Sequence, residues 1–153
     1  MSGEEDRAFR YACLLLGYRG RSEVELAERL RKKGFGPAAV SGAMERLRRH
    51  GYIDDSALAM TLRRTAEDVK LLGSSGARQY LMKMGIPRET AEDALSGYDE
   101  VESAARLLRR KSPSLRGLTD EAARRRLYGM LRRRGYGSAT IRKTLESIKE
   151  TET

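Results

Sequence analysis

The 153-residue chain has one cysteine, one histidine, three prolines, two phenylalanines and no tryptophan. Cys13 alone closes no intramolecular disulfide and builds no thiolate zinc cluster, and its setting among Tyr11, Ala12 and Leu14 predicts a small buried residue. With His50 as the single imidazole, neither a nucleophile–base pair nor a histidine-rich metal site can be assembled. Aromatic residues make up only 6% of the chain. A core must then come from Leu, Ala and a few Tyr and Met, which suits paired helices better than a sheet sandwich. No apolar run approaches membrane-spanning length and no basic start precedes a long apolar stretch. The expectation is a soluble, cytoplasmic protein with no membrane contact.

The remaining motifs that could carry chemistry have simpler uses. His50 precedes Gly51 at a predicted helix end, where a basic side chain suits the local dipole. Asp54-Asp55 could in principle take a hard cation, but no further oxygen ligands are spaced nearby and helix capping fits better. Gly73-Ser74-Ser75-Gly76 lacks the Lys-Ser/Thr that completes a phosphate-cradling loop, and reads as a turn. The sequence thus offers no catalytic residues, no cofactor site and no metal site.

What the chain does contain is a repeat. Leu30…Gly34-Phe35, Leu81…Gly85-Ile86 and Leu131…Gly135-Tyr136 share one spacing, with glycines 51 and 50 residues apart. Leu26, Ala77 and Leu127 stand four residues before each Leu, on the same helical face. After each corner comes a second stripe at i, i+3, i+4, i+7: Val40-Ala43-Met44-Leu47, Ala91-Ala94-Leu95-Tyr98 and Ile141-Thr144-Leu145-Ile148. Each Gly fits the left-handed position that closes a helix. These offsets predict an all-α chain of three tandem three-helix repeats, residues 1–53, 54–98 and 99–153, each too small to bury a full core alone.

Along the chain, a first helix is expected over 6–18, burying Ala8, Tyr11, Ala12 and Leu15. Ser22 and Glu25 form a predicted capping box, and Pro37 and Pro87 open helices. Asp54 or Asp55 can cap a fourth helix, which holds Leu58, Ala59, Leu62 and Val69. Lys111–Leu118, containing Pro113, reads as the longest loop. Thr119 or Asp120 and then Ser138 are expected caps, and the tail after Ile148 is expected to fray.

Net charge is +9, with 31 basic and 22 acidic residues, and it is uneven: +4 over 1–53, −1 over 54–98 and +6 over 99–153. Such ends attract a polyanion, either nucleic acid or an acidic protein surface. The candidate contacts are Arg29, Arg31, Lys32 and Lys33, then Arg46, Arg48 and Arg49, in the first repeat. Arg78 and Lys83 stand in the second repeat, and Arg125, Arg132, Arg133, Arg142 and Lys143 in the third. Spacing puts Arg125, Arg132 and Arg133 on a face opposite Ala123, Leu127 and Leu131. Solvated helix faces are often basic without any partner, but two equivalent helices sharing the bias favour a binding surface. Helix–turn–helix units also admit direct DNA binding, although Pro37–Arg49, Pro87–Ser96 and Ser138–Glu150 offer few Asn or Gln side chains for reading bases.

The run Ala8…Tyr11-Ala12…Leu15, Arg21-Ser22-Glu23…Glu25-Leu26…Arg29-Leu30…Lys33-Gly34-Phe35, Leu47…Gly51-Tyr52-Ile53-Asp54-Asp55 resembles the RecX family of regulatory proteins. The resemblance implies a row of three-helix repeats forming an elongated, curved molecule, and a non-enzymatic modulator of the RecA recombinase in DNA repair and recombination. It implies inhibition by lodging along the groove of the RecA–DNA filament and blocking ATP hydrolysis and strand exchange. Where the family usually carries a basic Gly-Pro-Arg-rich segment in the second repeat, this chain has Leu71-Leu72-Gly73-Ser74-Ser75-Gly76-Ala77-Arg78. Expected partners are therefore the RecA filament and single- or double-stranded DNA, bound weakly and non-specifically by a monomer. The alternative is a tandem helix-turn-helix-like protein acting on DNA without RecA.

Overall fold

In the computed structural model, which describes residues 3–151 and side chains through 148, all regular structure is helical. The helices are α1 (Gly3–Tyr18), α2 (Glu23–Lys33), α3 (Pro37–Arg49), α4 (Asp55–Thr65), α5 (Ser74–Lys83), α6 (Arg88–Ala94), α7 (Glu100–Leu115), α8 (Asp120–Arg133) and α9 (Ser138–Thr151). They follow the tandem three-helix order expected from the repeat. The residues form two compact units, one from 1–61 with 81–94 and the other from 62–80 with 95–153.

The repeated corner has a single chemistry. Gly34, Gly85 and Gly135 have φ of 108°, 90° and 78°. Their amides donate to Arg31, Met82 and Arg132, and the next residue's amide donates to the motif Leu: Phe35 to Leu30 at 3.2 Å, Ile86 to Leu81 at 3.1 Å, Tyr136 to Leu131 at 3.2 Å. This paired 5→2 and 6→1 closure satisfies the last carbonyls of the helix and needs a left-handed residue between them. The three Leu are fully buried. His50-Gly51-Tyr52 makes a fourth copy, with Gly51 donating to Arg48 at 3.0 Å and Tyr52 to Leu47 at 2.9 Å.

In the first unit α1 packs chiefly on α3. Ala8 and Ala12 meet a core holding Ala39, Ala43, Met44 and Leu47, so small side chains let the helix axes approach. Leu26 and Leu30 of α2 complete this core. Tyr11 and Cys13 are half-buried at its edge rather than inside it. Ser22 caps α2 by accepting from the Glu25 amide at 3.1 Å. Glu25 does not reach back as a capping box would, because Arg19 and Arg21 hold its carboxylate at 2.8 and 2.6 Å. In the second unit Leu107, Leu127, Leu131, Tyr136, Ile141 and Ile148 form the core together with Leu71.

Several local expectations are corrected. Val69 does not continue α4, which ends at Thr65 and runs into a π-helical turn, Ala66–Lys70, that leaves Val69 67% exposed and passes the inward position to Leu71. The predicted loop over 111–118 is helical to Leu115. Pro113 removes one amide, and the carbonyl of Arg109 that it would have served accepts from the Ser112 hydroxyl at 3.1 Å. The Gly73–Gly76 turn is instead the start of α5, and Ser138 lies inside the first turn of α9, following the Gly137 carbonyl that accepts from Ile141. Helix α9 continues through Thr151, and Glu152 and Thr153 lie outside the described residues.

Tyr136 also ties the second unit together: its hydroxyl donates to the Leu71 carbonyl at 2.8 Å, and burial pushes its phenol upward. Leu71 has φ of 50°, unusual for a branched side chain, so this bond helps fix a strained residue. Tyr136→Phe is expected to cost about 1 kcal/mol, read as a lower urea midpoint at unchanged slope.

Candidate functional site

Charge on an exposed helix matters for binding only where the protein has not already neutralised it. Arg46 is taken: it lies 2.6 Å from Asp6 and 4.1 Å from the Phe9 ring centroid. Arg48 is shared between Glu23 at 2.5 Å and Glu45 at 3.1 Å. These two members of the predicted set act as internal fasteners. Arg78 is half-buried in the first turns of α5, and Lys83 is exposed at its end. By contrast Arg29, Arg31, Lys32 and Arg49 are exposed and make no ion pair among the described residues, while Lys33 sits 5.1 Å from the Tyr11 ring centroid. Arg31 borders a groove between α2 and α3 whose wall includes Val24, Ala27, Val40 and Met44.

On the second unit, the predicted single face of α8 separates into two flanks. Arg125 and Arg133 border one depression, joined by Arg126, which the sequence reading passed over. Gly129 lies between them, one helical turn from Arg125 and Arg133, and its missing side chain opens the floor. That was the available signal: a glycine inside a helix with Arg three and four residues before it and four after. Arg132 faces the other flank with Arg142, Tyr128 and Ile141, between α8 and α9. Lys143 is exposed nearby in sequence. None of Arg125, Arg132, Arg133, Arg142 and Lys143 pairs with a carboxylate among the described residues. Guanidinium groups gathered without carboxylates repel one another and favour an anion of matching geometry, phosphate or carboxylate.

Two further groups escaped the sequence reading. The Glu100 carboxylate accepts from the Ser74 amide at 2.9 Å and the Gly137 amide at 3.1 Å, joining the starts of α5 and α9. An aromatic cluster of Phe9, His50 and Tyr52 lies where α3 ends. No three His, Cys, Asp or Glu side chains come together as a metal site among the described residues, and no described helix is long and apolar enough to cross a membrane.

Tandem three-helix repeats with arginine-lined depressions define the class, an all-helical repeat protein with exposed basic surfaces. Residues 8–47 match the RecX first three-helix domain and residues 98–145 the RecX third three-helix domain. Regulatory protein RecX of Chlorobium phaeobacteroides (strain BS1) is 33% identical over 145 residues, covering 95% of each chain. That of Prosthecochloris aestuarii (strain DSM 271 / SK 413) is 33% identical over 149 residues, covering 97% of this chain and 98% of its own. The crystal structure of RecX from Lactobacillus salivarius shares the fold, with a TM-score of 0.83 at 20% identity over 97% of this chain and 99% of that one. The chain belongs to the RecX family and has the regulatory role for which its members are named.

Proposed function

We propose that this protein regulates the RecA recombinase by binding the RecA–DNA filament, lowering its ATP hydrolysis and strand exchange. The observation that carries the reading is the set of exposed arginines left without carboxylate partners, on α2 and α3 of the first repeat and on α8 and α9 of the third. Such groups supply non-specific phosphate contacts and meet acidic protein surfaces equally well. Repeats at 1–53, 54–98 and 99–153 would spread many modest contacts over one polymeric partner, so that no deep pocket is needed. The protein acts as a cytoplasmic monomer and is not an enzyme.

Substoichiometric protein is expected to lower DNA-stimulated ATP hydrolysis by RecA. The triple substitution Arg125→Glu, Arg132→Glu and Arg133→Glu is expected to raise the concentration needed for half-inhibition at least tenfold, about 1.4 kcal/mol. Unchanged hydrolysis in the presence of the wild-type protein sinks the inhibitor reading. Binding to naked DNA with a salt slope matching the basic contacts, and no effect on RecA, would instead favour the DNA-binding alternative.

A further inference from the structure

Four of the described helices end in the same glycine closure, and in three of them the residue after the glycine is drawn inward. Ile86 and Tyr136 are 2% and 4% exposed, and Phe35 packs half-buried against the first core. Tyr52, at the fourth corner, is 55% exposed although its amide makes the same bond. Closure of the helix therefore does not account for a large ring held at the surface. The ring is also not loose. It stacks on His50 with centroids 5.3 Å apart and planes 20° apart, and on Phe9 at 6.3 Å and 27°. Beside it lies a depression bordered by Cys13, Leu16 and Gly17 of α1.

The two helices beside the ring, α1 and α3, carry exposed arginines. Arg49 precedes His50 in the chain, is exposed and has no carboxylate partner among the described residues. Arg10 shares the α1 stripe of Cys13 and Gly17, at i, i+3 and i+7, and is likewise exposed and unpaired among the described residues. Acidic groups on the same elements include Asp6, held by Arg46, and Asp54, which borders a second depression with Tyr52 and accepts from the Ala57 amide at the start of α4. A fixed ring with an adjoining gap, and unpaired cations on the two helices that frame it, is an arrangement suited to single-stranded nucleic acid: the ring stacks a base and the arginines follow the backbone.

We propose that Tyr52, backed by Phe9 and His50, stacks an unpaired nucleobase of a single strand, with Arg10 and Arg49 contacting the flanking phosphates. The site is on the first repeat, uses none of the arginines of α8, and needs no RecA. Its failure would therefore leave the filament reading standing. The test is fluorescence anisotropy of the full chain with a labelled deoxythymidine strand of about 15 nucleotides, and with an abasic strand of equal length. Tyr52→Ala is expected to weaken binding to the deoxythymidine strand about tenfold while Tyr52→Phe binds as the wild type does. The abasic strand is expected to bind wild type and Tyr52→Ala alike. Melting curves of both variants verify folding, which an exposed ring should leave intact. Equal binding of Tyr52→Ala and wild type to the deoxythymidine strand overturns the proposal. So does wild-type binding to the abasic strand as tight as to the deoxythymidine strand, or the absence of any wild-type binding to it.

Discussion

Gly76→Ala is expected to destabilise the protein by about 3 kcal/mol or more, although alanine normally improves a helix by about 1 kcal/mol over glycine. Gly76 lies in the first turn of α5, against the α8–α9 corner. A methyl there would sit 2.9 Å from the Arg134 carbonyl carbon and closer still to its oxygen. Neither side can yield. The Arg134 carbonyl accepts from the Gly73 amide at 2.9 Å, and a methyl on Gly73 would itself lie 2.5 Å from the Tyr136 backbone. Across the contact, Gly135 is fixed at φ 78° and would place its own methyl 2.6 Å from the Gly76 Cα. Two backbones thus touch where a side chain on either would part them. The measurement is thermal melting, where a loss of this size lowers Tm by roughly 10 °C. Gly42→Ala is the control: a methyl in the middle of α3 meets only the end of the Glu5 side chain, which can swing away. It is expected to change stability by less than about 1 kcal/mol, since the helix gain offsets the displaced carboxylate. If Gly76→Ala melts with or above the wild type, the close approach is wrong.

This pair of glycines marks the limit of what the sequence could tell. The Leu…Gly-apolar corner was legible because its chemistry is complete within six residues: two bonds, one left-handed glycine and two apolar contacts. Gly73-Ser74-Ser75-Gly76 contains the same kinds of residue but was read as a turn, because glycine and serine signal turns locally while their use here is set by a corner some sixty residues away. Pro113 misled for the same reason. Its local effect is to break a helix, yet the Ser112 hydroxyl takes up the carbonyl it leaves behind. On the candidate surface, the stretches rich in arginine were plain, but their availability was not. Arg46 and Arg48 look like Arg29 and Arg31 in the sequence. They differ through Asp6 and Glu23, which are 40 and 25 residues distant. Periodicity assigns a side chain to a face; only the fold decides which charge it meets there.

Glu100→Ala is the second large effect, about 2 kcal/mol, and its pH dependence identifies its cause. The carboxylate accepts the orphan amides of two helix starts, Ser74 at 2.9 Å and Gly137 at 3.1 Å, which come from segments 26 and 37 residues away. Burial alone would raise its pKa. Hydrogen bonds from Thr140, from the Ser74 and Gly137 amides and from the Ser74 hydroxyl outweigh that and hold it below the ordinary glutamate value. A carboxyl whose pKa is lower folded than unfolded binds fewer protons in the native state at mildly acid pH. Its contribution is therefore complete above the unfolded value of about 4.3 and disappears as pH falls through the folded value. The stability gap between wild type and Glu100→Ala should stand at about 2 kcal/mol near neutral pH and narrow steadily below about pH 4. Urea midpoints from about pH 7 to about pH 3 read it directly. Glu102→Ala, which removes an exposed carboxylate on the same helix that pairs with Arg106 and Arg109, should cost less than about 0.5 kcal/mol. A Glu100→Ala gap that stays constant with pH would mean that the side chain stabilises by packing alone. A gap that closes with acid assigns the stability to one ionised group holding the starts of α5 and α9 together.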